Sequence, residues 1–168
     1  VHLYDAHAPY RPPAEARARA GGDAYNGEIA FVDGELARLF ARVDARPDAA
    51  RTGTIAVGDH GESLGEHGEP THGMLLFEPA IRVPLIIRWP GVTAQGAVCR
   101  EPVAVMDLFP TLLRAAGATP APGVTLDGLD LAPLLKEPPA KSGRDALFFH
   151  YPHYYETTAP VSAVRAGD

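Results

Sequence analysis

From Tyr25 to Val43 the apolar residues Tyr25, Ile29, Val32, Leu36, Leu39, Phe40 and Val43 recur at steps of three and four. That spacing places them on one face of a helix and leaves Glu28, Glu35, Arg38 and Arg42 for the wet face. Arg46-Pro47-Asp48 ends the pattern. Thr54-Ile55-Ala56-Val57 is a short β-branched run closed by Gly58, the pattern of a buried strand. Val83 to Trp89 reads as a second strand, ended by Pro90-Gly91, and Ala146 to Tyr151 as a last one. Asp107 to Ala116 is helical, with Leu108, Phe109, Leu112 and Leu113 apolar and Gly117 at the C-terminal cap. Val1-His2-Leu3-Tyr4 reads as a strand already under way. Between these elements lie the proline-rich stretch Asp5 to Pro13, a polar loop from Asp59 to Gly73, a brief helical turn near Met74 to Glu78, and a Pro/Gly-rich segment from Thr119 to Pro139. Strands alternating with helices predict an α/β layer fold.

Composition narrows the function classes. The 168 residues carry 15 Lys+Arg against 21 Asp+Glu, a net charge of −6. That acidic balance argues against a nucleic-acid surface, which needs a Lys/Arg excess to neutralise phosphates. The longest apolar runs are strand-sized, well short of the ~20 residues that span a bilayer. One cysteine, Cys99, excludes an internal disulfide framework and a Cys-rich zinc module. Its place between Val98 and Arg100 suits a small buried or edge residue rather than a nucleophile. The sequence begins without Met and ends on Val161 to Asp168 with neither a cap nor a polar tail, so it reads as a fragment.

Most of the seven histidines sit in Gly- or Pro-rich loops rather than on apolar faces. Asp59 and His60 follow a predicted strand at once, where α/β sheets gather their ligand-binding loops. A carboxylate and an imidazole side by side, flanked by glycines, can both turn onto one cation. A three-histidine zinc site from His60, His67 and His72 is a further arrangement, though spacings of seven and five match no helical pair. Glu62, Glu66 and Glu69 read as solvated loop charges.

Several separate segments together resemble the sulfatase family of the alkaline phosphatase superfamily. They are Tyr4-Asp5-Ala6-His7-Ala8-Pro9-Tyr10, Asp59 to Gly68 with Thr71-His72-Gly73, and Arg82 to Ile87. Asp107 to Leu113, Asp127-Gly128, Leu134-Leu135, His150 to Tyr155 and Arg165 to Asp168 continue the likeness in the family's order. The resemblance implies a partial alkaline-phosphatase-like (sulfatase) fold, a mixed sheet flanked by helices and truncated at both ends. Residues 1–168 would be part of one catalytic domain, without its N-terminal nucleophile region and final C-terminal subdomain.

The resemblance also implies roles. Asp59 and His60 match the divalent-metal ligands, and His7 and His72 match catalytic and substrate-binding positions that contact the sulfate or the leaving oxygen. His72 falls where many arylsulfatases carry a lysine, and His60 where many carry Asn. Calcium is the implied metal, with manganese, zinc or iron admitted by the imidazole. The family's nucleophile is formylglycine, made from a Cys/Ser-x-Pro-x-Arg motif that occurs nowhere in this sequence. The implied function is hydrolysis of a sulfate-ester small molecule or glycan. The alternatives are a phosphoester or phosphonate monoester hydrolase of the same superfamily, or a non-catalytic metal- or partner-binding domain.

Overall fold

A computed structural model describes residues 1–69, 71–72, 75–136, 140–154 and 159–167. Pro70, Gly73, Met74, Pro139, Tyr155 and Asp168, which enter the expectations above, lie outside the described residues. The chain divides into two compact units, Val1–Thr52 and Gly53–Asp168.

The first unit is a helical hairpin preceded by a proline-rich loop. Helix α1 (Ala14–Arg19) packs on α2 (Ala24–Asp44). Asp23 caps α2, its Oδ1 accepting from the Asn26 backbone N–H at 2.7 Å, which satisfies one of the donors a helix start leaves open. Ala16 is buried between the helices' surroundings, while the apolar stripe from Val32 to Val43 is half-buried. Two expectations need correction. Val1-His2-Leu3-Tyr4 forms no strand, because no ladder partner reaches it among the described residues. Glu28 is not on the wet face: it is 4 % exposed, and its Oε1 accepts the Arg11 backbone N–H at 2.5 Å. That bond ties the loop after His7 down onto α2.

The second unit carries all the strands among the described residues. Strand β1 (Thr54–Val57) pairs antiparallel with β2 (Leu85–Arg88) in the register Thr54↔Arg88 to Val57↔Leu85. The ends of β2 are set by chemistry. Pro84 has no N–H to give, and the Trp89 N–H bonds to Thr93 Oγ1 at 2.9 Å instead of continuing the ladder. Strand β1 is half-buried rather than buried, with Val57 on the exposed side. Between the two strands lies the one-turn helix α3 (Glu78–Ile81).

Strand β3 (Ala146–Tyr151) pairs antiparallel with β4 (Val161–Ala166). The α/β class holds, with its sheet represented by two separate antiparallel pairs. Helix α4 (Leu108–Ala115) ends before Gly117 as its sequence predicts, and α5 (Ala132–Lys136) turns within the Pro/Gly-rich segment.

The polar centre of this unit is Asp107, fully buried at the start of α4. Its carboxylate accepts from Arg144 at 2.7 and 2.6 Å and from the backbone N–H groups of Ala104 (2.7 Å) and Leu129 (2.8 Å). Burial pushes this carboxyl up, but the Arg144 guanidinium and the two N–H groups outweigh it and hold it below the ordinary aspartate range. One turn on, Thr111 Oγ1 donates to the Asp107 carbonyl at 2.6 Å and accepts from the Leu131 N–H at 2.9 Å. Two side chains thus fasten α4, the 129–131 segment and the irregular segment leading into β3. Leu131, Ala132, Leu134 and Leu147 are the buried apolar residues of the same unit.

Candidate active site

Strand β1 delivers Asp59 and His60 into a turn that is pinned on both sides. The Gly58 N–H bonds the Pro84 carbonyl at 3.1 Å and the Gly61 N–H bonds the Ala80 carbonyl at 2.8 Å. Gly61 lies so close to α3 that a Cβ there would run into the Pro79 carbonyl oxygen. Only glycine allows this approach. The turn is therefore seated on α3 and the entry to β2, both supplied by the Arg82-to-Ile87 stretch and the residues before it.

Within the turn, Asp59 Oδ1 accepts the His60 N–H at 3.0 Å, and the Asp59 side chain is 82 % exposed. His60 Nδ1 lies 2.9 Å from the Gly61 carbonyl. A carbonyl only accepts, so Nδ1 carries the proton and Nε2 of the neutral ring keeps its lone pair. That Nε2 stands 3.8 Å from Asp59 Oδ2. Two donors at this separation can share one divalent cation at ordinary ligand distances. A histidine whose second nitrogen is tied to a backbone carbonyl is also the usual form of a metal-ligating imidazole.

His72 comes back to the same place from the other end of the loop. Its ring stacks on that of His60, with centroids 3.9 Å apart and 25° between planes. His72 Nδ1 lies 3.0 Å from Glu62 Oε1 and 3.3 Å from Thr71 Oγ1. Glu62 is not a solvated charge, as the sequence suggested. Its side chain is 5 % exposed and that of His72 19 %. No sequence signal could have found it, because the ten-residue return from Glu62 to His72 is made by the fold of the loop. Asp59, His60 and His72 border one open cavity of about 1260 Å³, whose walls include Leu85, Ile87 and Leu147.

The other expectations divide. Glu66 is exposed, and its carboxyl is held low chiefly by its own backbone N–H and that of Leu64, whose N–H it accepts at 2.6 Å. Glu69 is buried, not solvated, and accepts the Leu75 N–H at 3.2 Å. The three-histidine zinc arrangement does not form. His67 stacks on Phe77 at 4.0 Å, and the in-plane lone pairs of the stacked His60 and His72 rings run alongside each other rather than converging. Among the described residues no group of three or more His, Cys, Asp or Glu could hold a metal ion. Cys99 is exposed rather than buried. In the first unit, His7 stacks on Tyr4 at 4.7 Å, with Nδ1 2.8 Å from the Ala8 carbonyl. Among the described residues no helix is long and apolar enough to cross a membrane.

Comparison with known proteins identifies the lineage. The Sulfatase family pattern matches residues 1–118. Mouse steryl-sulfatase is 34 % identical over 167 residues, which take in 92 % of this chain and 26 % of that protein. Human arylsulfatase A is 33 % identical over 174 residues, 98 % of this chain and 34 % of its own length. The chain thus spans about a quarter to a third of these relatives. Among solved structures, BT4656 in complex with its substrate D-glucosamine-2-N,6-O-disulfate aligns with a TM-score of 0.73 at 26 % identity, over 85 % of this chain and 29 % of that one. The structure of Ps i-CgsB aligns with a TM-score of 0.79 at 21 % identity, over 98 % of this chain and 38 % of that one, a likeness of fold. With a family match over most of its length and relatives this similar, the chain belongs to the sulfatase family.

Proposed function

We propose that this chain supplies part of the divalent-metal and sulfate-binding site of a sulfuric ester hydrolase acting on a sulfate-ester small molecule or glycan. The observation that carries the proposal is the Asp59–His60 turn, with Asp59 Oδ2 and His60 Nε2 3.8 Å apart at the end of β1. The donor set fits a cation: a hard carboxylate oxygen suits calcium, and the imidazole extends the range to manganese, zinc or iron. When bound, the cation supplies positive charge to the oxygens of the sulfate group.

The chain's own residues do the rest of the work assigned to it. His72 Nδ1 lies 3.0 Å from Glu62 Oε1, and as an imidazolium, with a proton on each ring nitrogen, His72 would give one of them to an ester or leaving oxygen. His7, whose Nδ1 lies 2.8 Å from the Ala8 carbonyl, is assigned a contact to the sulfate or leaving oxygen on the family resemblance of its segment alone. No Cys/Ser-x-Pro-x-Arg motif occurs in these 168 residues, so the formylglycine nucleophile is expected elsewhere in a longer chain. The relatives' names, steryl-sulfatase and arylsulfatase, and the disulfated glucosamine bound by BT4656 support sulfate esters as the substrate class.

The test is turnover of an aryl sulfate with added calcium or manganese. The 168-residue protein is expected to stay at the metal-only blank, and the longer chain with its nucleophile motif to be active. In that longer chain Asp59→Ala should lose several kcal/mol of transition-state stabilisation, and Glu66→Ala should stay near wild type. Equal activities for the two variants at saturating metal would remove Asp59 from the site.

A further inference from the structure

Helix α3 is a single turn of four residues, too short to hold its shape or its place by its own hydrogen bonds. Its position is set by what grips it from outside. Gly61 presses on the Pro79 carbonyl and gives its N–H to the Ala80 carbonyl at 2.8 Å, so the Asp59–His60 turn rests directly on α3. At the helix's first residue the grip comes from β4. Arg165 Nη1 lies 2.6 Å from both carboxylate oxygens of Glu78, 87 positions away in the chain. Arg82, one turn on, approaches the same carboxylate only to 3.5 Å and from an exposed side chain. Arg165 itself stands on a firm base, because it pairs across the hairpin with Leu147, whose side chain is buried.

We propose that Arg165 is a positioning residue for the metal turn: through Glu78 it holds α3 in place, and α3 holds the turn that presents Asp59 and His60. The structural basis is a continuous series of contacts, from Arg165 to Glu78, along the α3 backbone, and from Pro79 and Ala80 to Gly61. The inference rests on the assignment of Asp59 and His60 to the cation, and it adds a residue on a different hairpin through which that pair is held. A partly exposed ion pair contributes little to overall stability. Its effect here is local, because the element it grips is one turn long.

The test has two arms, and the first needs no metal. In the 15N-labelled 168-residue protein, hydrogen exchange is followed at two amides of the same unit. The Gly61 amide bonds α3, and the Leu131 amide bonds Thr111 Oγ1 and reports overall stability. Arg165→Gln and Glu78→Gln should each speed exchange at Gly61 roughly 2–5-fold and leave Leu131 unchanged. The double variant should be no faster than either single one, because the two residues act as one pair. Arg165→Lys keeps the charge and should fall between wild type and Arg165→Gln; it also serves if Arg165→Gln fails to fold. Unchanged exchange at Gly61, or equal acceleration at Leu131, overturns the proposal.

The second arm adds manganese alone to the same proteins and follows the paramagnetic broadening of the His60 ring signals. The midpoint concentration should rise roughly 2–5-fold in Arg165→Gln and in Glu78→Gln. A midpoint that stays put while Gly61 exchange quickens would show that the turn keeps its geometry, and would sink the inference. Failure of the metal assignment reads differently, as no broadening of His60 in wild type. The Gly61 and Leu131 amides then decide by themselves whether Arg165 positions the turn.

Discussion

The imidazole rings of His60 and His72, twelve positions apart in the chain, lie face to face with centroids 3.9 Å apart. Each ring is tied through its Nδ1, His60 to the Gly61 carbonyl and His72 to Glu62. The stack therefore joins the residue assigned to the metal to the residue assigned to the sulfate. It also explains why the loop from Asp59 to His72 closes on itself: Ser63 N–H to the Thr71 carbonyl at 3.3 Å and Gly65 N–H to the Glu69 carbonyl at 3.1 Å draw its two arms together.

Replacing His72 tests what its ring contributes. In the active longer chain His72→Ala should lower kcat roughly 10²–10³-fold, the scale of losing one donor to a charge-bearing oxygen. His72→Lys should retain measurably more turnover than His72→Ala, because it restores a cationic donor at that place. A loop histidine turned to water predicts instead that both variants match wild type, and steady-state kinetics of the three proteins separates the two.

The Asp107–Arg144 pair makes the fold acid-sensitive. Because the Asp107 carboxyl is held below its ordinary value, its stabilising contribution is fully present above the unfolded aspartate value of ~3.9 and is lost as pH falls through the lower folded value. Wild type should lose stability steeply below about pH 4, and Asp107→Asn, which cannot take up that proton, should show a shallower acid limb. Arg144→Ala leaves the carboxylate buried without its guanidinium and should cost about 3–5 kcal/mol at neutral pH. Urea unfolding followed across pH reads both. Parallel curves for wild type and Asp107→Asn would contradict the linkage.

Gly61→Ala should displace the Asp59–His60 turn, since the added methyl meets the Pro79 carbonyl oxygen. Overpacking of this kind costs about 1–3 kcal/mol, so thermal unfolding should fall and metal affinity should fall with it. A variant with unchanged melting and unchanged metal binding would show that the turn has room the structure does not display.

Much of this was legible in the chain because local rules and the fold agree. The seven apolar residues from Tyr25 to Val43 lie on the observed α2, and the β-branched run Thr54 to Val57 is β1 to the residue. The Asp59–His60 turn at a strand end followed from the same pattern. What escaped depends on contacts distant in sequence. Glu28 looks solvated on a helical wheel but takes the Arg11 N–H, and Glu62 and Glu69 look like loop charges but contact His72 Nδ1 and the Leu75 N–H. Strand β4 was missed because Ala163, Arg165 and Ala166 weaken its alternation. The pairing that makes it a strand is supplied by β3.

The most direct test of the account is the position of the bound metal. Crystals of the longer sulfatase chain loaded with manganese, measured for anomalous scattering, should show a peak within roughly 2.0–2.6 Å of both an Asp59 carboxylate oxygen and His60 Nε2. His72 should lie outside the coordination sphere, with its Nδ1 still on Glu62. A peak that leaves Asp59 or His60 Nε2 unliganded, or that takes His72 as a ligand, would contradict the account.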